Sequence, residues 1–103
     1  IKKILIKELL IMKKETFYCM TFNVSWQKYN DTLYVMDERD GCIYQFSGTS
    51  FDILTFIVHK KYSLNRTIDK ISEKYNVERS SIEKDVTEFI EELEKIEILE
   101  SVA

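Results

Sequence analysis

The 103-residue sequence predicts an α+β domain in which a three-stranded antiparallel sheet precedes three helices. Three observations lead there. From Phe22 to Ser47, runs rich in aromatic and β-branched residues are separated by turn signals, the pattern of short strands joined by tight connections. From Ile82 to Ile96, apolar residues recur at three- and four-residue steps, the spacing of an amphipathic helix. Only a few residues around Asn76 and Val77 separate that helix from the one before it, which makes the two a helix-turn-helix pair.

Taken in order, residues 1–20 read as an N-terminal extension and residues 21–103 as the folded domain. Within the extension, Ile4, Leu5, Glu8, Leu9 and Ile11 suit a short amphipathic helix, whereas Ile4 and Ile6 also suit a strand. The strands follow as FNVSWQKYN, TLYVMDE and CIYQFS. Asn30 and Asp31 favour a tight hairpin between the first two, and Gly41 supplies a positive φ for the second loop. In the middle strand Leu33 and Val35 share one face and Tyr34 and Met36 the other, while in the third Ile43 and Gln45 oppose Cys42, Tyr44 and Phe46.

A first helix is expected over residues 49–60, with Thr49 as its cap and Asp52 reaching back to it. Its apolar residues Phe51, Ile53, Leu54, Phe56, Ile57 and Val58 are too many for one stripe, so it should be covered on most sides. Residues 62–66 read as a polar link. The second helix then turns Ile68, Ile71 and Tyr75 inward and stops at Asn76. The last helix buries Ile82, Val86, Phe89, Ile90, Leu93 and Ile96 and shows Glu83, Asp85, Glu88, Glu91, Glu92, Glu94 and Glu97 on its flank, before an extended IEIL that adds to the core.

Charge and composition narrow the function. The net charge of −3 conceals an asymmetry: residues 1–20 sum to +3 and residues 66–103 to −5, so the basic end complements the acidic one. No apolar run approaches the ~18 residues that cross a bilayer, and IKKILIKELLI is interrupted by Lys3, Lys7 and Glu8, so no membrane partner is expected. Cys19 and Cys42 lie far apart without a CxxC spacing, and His59 is the one histidine, which leaves a zinc site short of ligands. Both read as small core or strand residues, in a reducing cytoplasm. A lone histidine with no acid–base partner, no phosphate-binding glycine loop and no nucleophile set predict a protein without catalytic residues, metal or cofactor.

A three-stranded sheet packed on a helix-turn-helix is winged-helix-like. The run YVMDERDGCIYQFSGTSFDILTFI, followed by RTIDKISEKYNVERSSIEKDVTEFIEELEKIEIL, resembles the PqqD family. The resemblance spans roughly residues 24–99 and rests on the aromatic strand before a Gly/Thr/Ser helix start, the Thr67–Ile68 entry, the Tyr75–Asn76–Val77 corner and the Asp85–Val86 pair. Glu97 departs from it, since the family commonly has Gly there, and this predicts a more helical exit from the last helix.

The resemblance implies a non-catalytic protein that recognises the leader of a ribosomally made precursor peptide and serves a modifying enzyme such as a radical-SAM enzyme, a cyclase or a protease. It implies strand addition at residues 42–47, with Cys42, Ile43, Tyr44, Gln45 and Phe46 from the strand and Asp85, Glu88, Phe89 and Glu92 from the last helix as the peptide-binding residues. Two readings of other classes stand beside it. A winged helix also suggests DNA binding, but the acidic last helix and the DERDG loop repel phosphates, so no nucleic-acid partner is expected. An exposed strand edge or the N-terminal extension could also pair with a second copy, giving a homodimer or a structural module.

Overall fold

The structure, a computed structural model, describes residues 15–102; the expectations placed on residues 1–14 lie outside it. Five strands and three helices follow in the order β1 (Phe17–Met20), β2 (Val24–Tyr29), β3 (Thr32–Asp37), β4 (Ile43–Ser47), α1 (Thr49–Leu54, continuing as a π-helical turn over Thr55–His59), α2 (Leu64–Tyr75), α3 (Arg79–Lys95) and β5 (Leu99–Val102). The expected α+β class is what forms: the antiparallel sheet β2-β3-β4 followed by three helices.

A second, two-stranded sheet joins β1 to β5, pairing Phe17 with Val102 and Met20 with Leu99. Neither strand was expected in this role. β1 falls within the stretch read as an extension, yet Tyr18 is buried in the core, and the Thr21 hydroxyl donates to the Glu97 carbonyl at 2.7 Å while its N–H donates to that of Ile98. Together they close the chain's two described ends onto each other.

The main sheet obeys its pleat. Leu33 and Val35 of β3 are buried while Tyr34 and Met36 face out, so the inner face receives the helices. Each fully buried aliphatic side chain on that face contributes about 1.5–3 kcal/mol. α1 and its π turn supply Ile53, Leu54 and Ile57 to the same core, α2 supplies Leu64, Ile68 and Ile71, and α3 supplies Val86, Ile90 and Leu93. β2 meets α1 through Lys28, whose ammonium lies 5.4 Å from the Phe51 ring centroid, and through an edge-on contact of Trp26 with His59.

Helix ends depart from expectation for identifiable reasons. The residue before α1 is Gly48, with φ 61°, and no side chain caps the helix; Thr49 is already helical. The Asp52 carboxylate does not reach back. It is nearly buried and accepts from Lys74 Nζ at 2.8 Å and from the Tyr75 hydroxyl, tying α1 to the end of α2. Tyr75 is therefore 41% exposed and works through its hydroxyl instead of pointing inward. α2 begins three residues earlier than expected because the Ser63 hydroxyl accepts from the Arg66 N–H at 3.2 Å, an N-cap in what reads as a polar link. Asn76 ends it in the left-handed conformation, φ 51°, as expected. Glu97 overturns the expectation of a more helical exit: its φ is 61°, the conformation a glycine would take, and α3 stops at Lys95.

Candidate functional site

β4 is an edge strand. The order β2-β3-β4 leaves one side of it free among the described residues, and the pairing register shows which backbone groups face that side. A two-residue turn makes Tyr29 and Thr32 a hydrogen-bonded pair, and in an antiparallel ladder such pairs alternate with non-bonded ones. Leu33 and Val35 thus bond across to Phe46 and Tyr44, and the Asp37 N–H donating to the Cys42 carbonyl at 2.8 Å keeps the same phase. It follows that Ile43, Gln45 and Ser47 turn their N–H and C=O groups outward.

Beside that edge runs α3. The Phe46 and Phe89 rings meet edge to face with centroids 5.9 Å apart, and Tyr44 stacks near Phe46 at 6.5 Å. All three are half-buried, packed on the core cluster from its rim. Asp85, Glu88, Phe89, Glu91 and Glu92 line an open depression of about 470 Å³ on the same helix. Lys84 lies 3.9 Å from Glu88; Asp85 and Glu92 carry no ion pair among the described residues. The site is an apolar rim between a strand edge and a row of carboxylates.

Of the residues named from sequence, Tyr44, Phe46 and Phe89 come into one cluster, and Asp85, Glu88 and Glu92 stand along it. The side chains of Ile43 and Gln45 lie on the opposite face of the sheet, with Tyr34 and Met36. Their backbone, not their side chains, belongs to the edge. Cys42 falls before β4 in the hairpin turn, where its N–H donates to Asp40 Oδ1 at 2.9 Å. Hydrogen bonding to Asp40 raises the Cys42 thiol above its ordinary value, and burial, aided by Glu100, does the same for Cys19, so neither favours the nucleophilic thiolate.

Sequence reasoning missed a clamp that holds the site together. Asp37 is buried at the end of β3, and its carboxylate accepts from Arg39 Nη2 at 2.7 Å and Nε at 2.9 Å. The same guanidinium pairs with Glu97 and donates to the Ile96 carbonyl at 3.0 Å, so the tip of the β3–β4 hairpin is fixed to the end of α3. Arg39 holds the Asp37 carboxyl below its usual range. The signal was present in DERDG, but only as a net-negative loop; its pairing partner lies 58 residues away.

Among the described residues no group of three or more His, Cys, Asp and Glu side chains is placed to hold a metal ion, and no helix is long and apolar enough to cross a membrane. No curated protein matches the chain. Among solved structures it is similar to TbiB1 in complex with the TbiA(beta) leader peptide, with a TM-score of 0.72 at 20% identity over 82% of this chain and 96% of that one, a likeness of fold. The sequence pattern of the family described as Coenzyme PQQ synthesis protein D (PqqD) matches residues 33–99, which takes in β4, all three helices and the Phe46–Phe89 contact between β4 and α3. The chain belongs to the PqqD family.

Proposed function

We propose that this protein binds the leader of a ribosomally made precursor peptide as an added strand along β4 and presents it to a modifying enzyme, such as a radical-SAM enzyme, a cyclase or a protease. The observation that carries this reading is the free edge of β4, with the backbone groups of Ile43, Gln45 and Ser47 turned outward beside the Phe46–Phe89 contact. Family membership supports it, as does the similar fold of TbiB1, a protein solved with a leader peptide.

In this mechanism the leader's main chain bonds to the outward groups of Ile43, Gln45 and Ser47 and extends the sheet by one strand. Alternate leader side chains then fall on the two faces of that sheet. Those on the inner face enter the space between β4 and α3, where Tyr44, Phe46 and Phe89 offer apolar surface and Asp85, Glu88 and Glu92 offer charge. Backbone pairing gives affinity with little selection, and the inner-face contacts give the selection. Ordering a flexible leader costs about 2–5 kcal/mol, which places affinity nearer micromolar than picomolar. The chain itself carries out no bond-making step; it binds and orients.

The test is calorimetric titration with a synthetic leader of any short precursor peptide whose gene neighbours this protein's, using the protein and its Gln45→Pro variant. Binding to the first and a loss of roughly tenfold or more in the second, with the far-UV spectrum unchanged, is the expected result. Equal affinity for both contradicts strand addition.

A further inference from the structure

The strand edge and α3 run side by side in a fixed direction, and that direction specifies what the groove selects. Phe46 stands level with Phe89, while the Cys42 end of β4, through Asp37 and Arg39, stands level with Ile96 and Glu97. Moving from Phe46 to Cys42 therefore moves from Phe89 toward the C-terminal end of α3. The lengths agree: four residues of strand rise ~13 Å and seven of helix ~10 Å.

Because the backbone of Tyr44 and Phe46 is bonded to β3, leader residues opposite those two form the non-bonded pairs of the new ladder, and their side chains share the inner face. Inner-face positions recur every two residues, about 6.6 Å apart, which is about four residues along α3. With one such position set against Phe46 and Phe89, the next toward Tyr44 falls near Glu92, and the next toward Gly48 falls near Asp85. Asp85, Phe89 and Glu92 lie at steps of four and three, on one face of the helix.

We propose that this groove selects a leader segment with the pattern cationic, any, apolar, any, cationic, its central side chain seated on Phe46 and Phe89 and its two flanking cations facing Asp85 and Glu92. This rests on the strand-addition reading and adds to it the chemistry of the segment. The carboxylates alone would not define a site. The strand edge fixes where a peptide main chain lies, and the aromatic contact fixes its phase. Asp85 and Glu92 are exposed and carry no ion pair among the described residues. Glu88, beside them and shared with Lys84, deepens the same negative field.

The test uses the full chain and a displayed library of random twelve-residue peptides, selected at low salt, with the enriched peptides then measured by fluorescence anisotropy. Enrichment of the cationic–any–apolar–any–cationic pattern is expected. Affinity should fall roughly tenfold in an Asp85→Lys, Glu92→Lys double variant and also with added salt, as expected of exposed ion pairs. The double variant put through the same selection should enrich acidic flanking residues. Enriched peptides that depend on Gln45, judged by the Gln45→Pro variant, but show no basic bias or an acidic one would overturn the pattern while leaving strand addition in place. Failure to enrich any peptide whose binding depends on Gln45 would overturn both.

Discussion

Arg39 is ion-paired with Glu97 across the gap between the β3–β4 turn and the end of α3. Glu97 holds a left-handed backbone, φ 61°, that most side chains avoid at a cost of about 1–2 kcal/mol. Around it the structure is over-determined: the Thr21 hydroxyl donates to the Glu97 carbonyl and its N–H to that of Ile98, and Arg39 also reaches the Ile96 carbonyl. The pair itself is exposed, and such pairs are worth about 0–1 kcal/mol. Backbone strain relief and loss of the pair therefore nearly cancel in Glu97→Gly, which should change stability by less than about 1 kcal/mol. Glu97→Val loses the pair and places a β-branched residue at positive φ, so its urea midpoint should be clearly lower, by about 2 kcal/mol of stability. A Val variant as stable as Gly would show that the left-handed turn is not maintained in solution.

Thr67 sits at the buried face of α2 with its hydroxyl unpartnered among the described residues. A buried hydroxyl without a partner costs about 1–3 kcal/mol. Thr67→Val keeps the shape and removes the polar atom, and should raise stability by about 1 kcal/mol in chemical denaturation. A destabilised Val variant would mean that the hydroxyl is satisfied.

Tyr18 gives the fold an alkaline limit. Burial first, and then the negative field of Glu94 and Glu91, push its phenol up to about 12. The unfolded phenol ionises near pH 10, so unfolding releases a proton between pH 10 and 12 and stability falls with rising pH in that window, by at most about 1.4 kcal/mol per unit. Below pH 10 the contribution is intact. In Tyr18→Phe the slope from this group disappears, so the stability difference between the variant and the parent should shift in the variant's favour from pH 9.5 to 11.5. A pH-independent difference would place the phenol in water.

Backbone direction along β4 separates two prolines. Gln45→Pro removes a donor that faces the free edge and should leave the fold standing, whereas Tyr44→Pro removes one that bonds to β3 and should lower stability by about 3 kcal/mol or more. Thermal unfolding of the two distinguishes them; equal losses would mean that the register is shifted by one residue.

Elements dictated by local periodicity were legible in the sequence. The alternation in TLYVMDE places Leu33 and Val35 inward, and the three-and-four spacing of α3 places Val86, Ile90 and Leu93 in the core with Ile82 and Phe89 packed on its rim, whereas Ile96, expected in the same stripe, lies just past the helix end and is exposed. What stayed hidden depends on contacts far apart in the chain. β1 and β5 are four residues each and too short to announce themselves; they form because their ends are brought together. Asp52 reads as a local cap, but Lys74 and Tyr75, more than twenty residues on, compete for its carboxylate and win. For the groove, sequence supplied the strand and the helix face, and the periodicity supplied Phe46 and Phe89. The alternation also put the Ile43 and Gln45 side chains opposite Tyr44 and Phe46; what it could not supply is the phase of the ladder, which turns the backbone groups of Ile43 and Gln45 to the free edge.

In the proposed complex the leader peptide lies along β4. Amide-shift mapping by NMR, on titrating such a leader peptide, reads that placement residue by residue. Shifts centred on Ile43, Gln45 and Ser47 and on the Asp85–Glu92 face of α3 are expected, with slowed amide exchange at Gln45 in the complex. Shifts confined to α2 or to β2, with β4 and α3 unmoved, would contradict it.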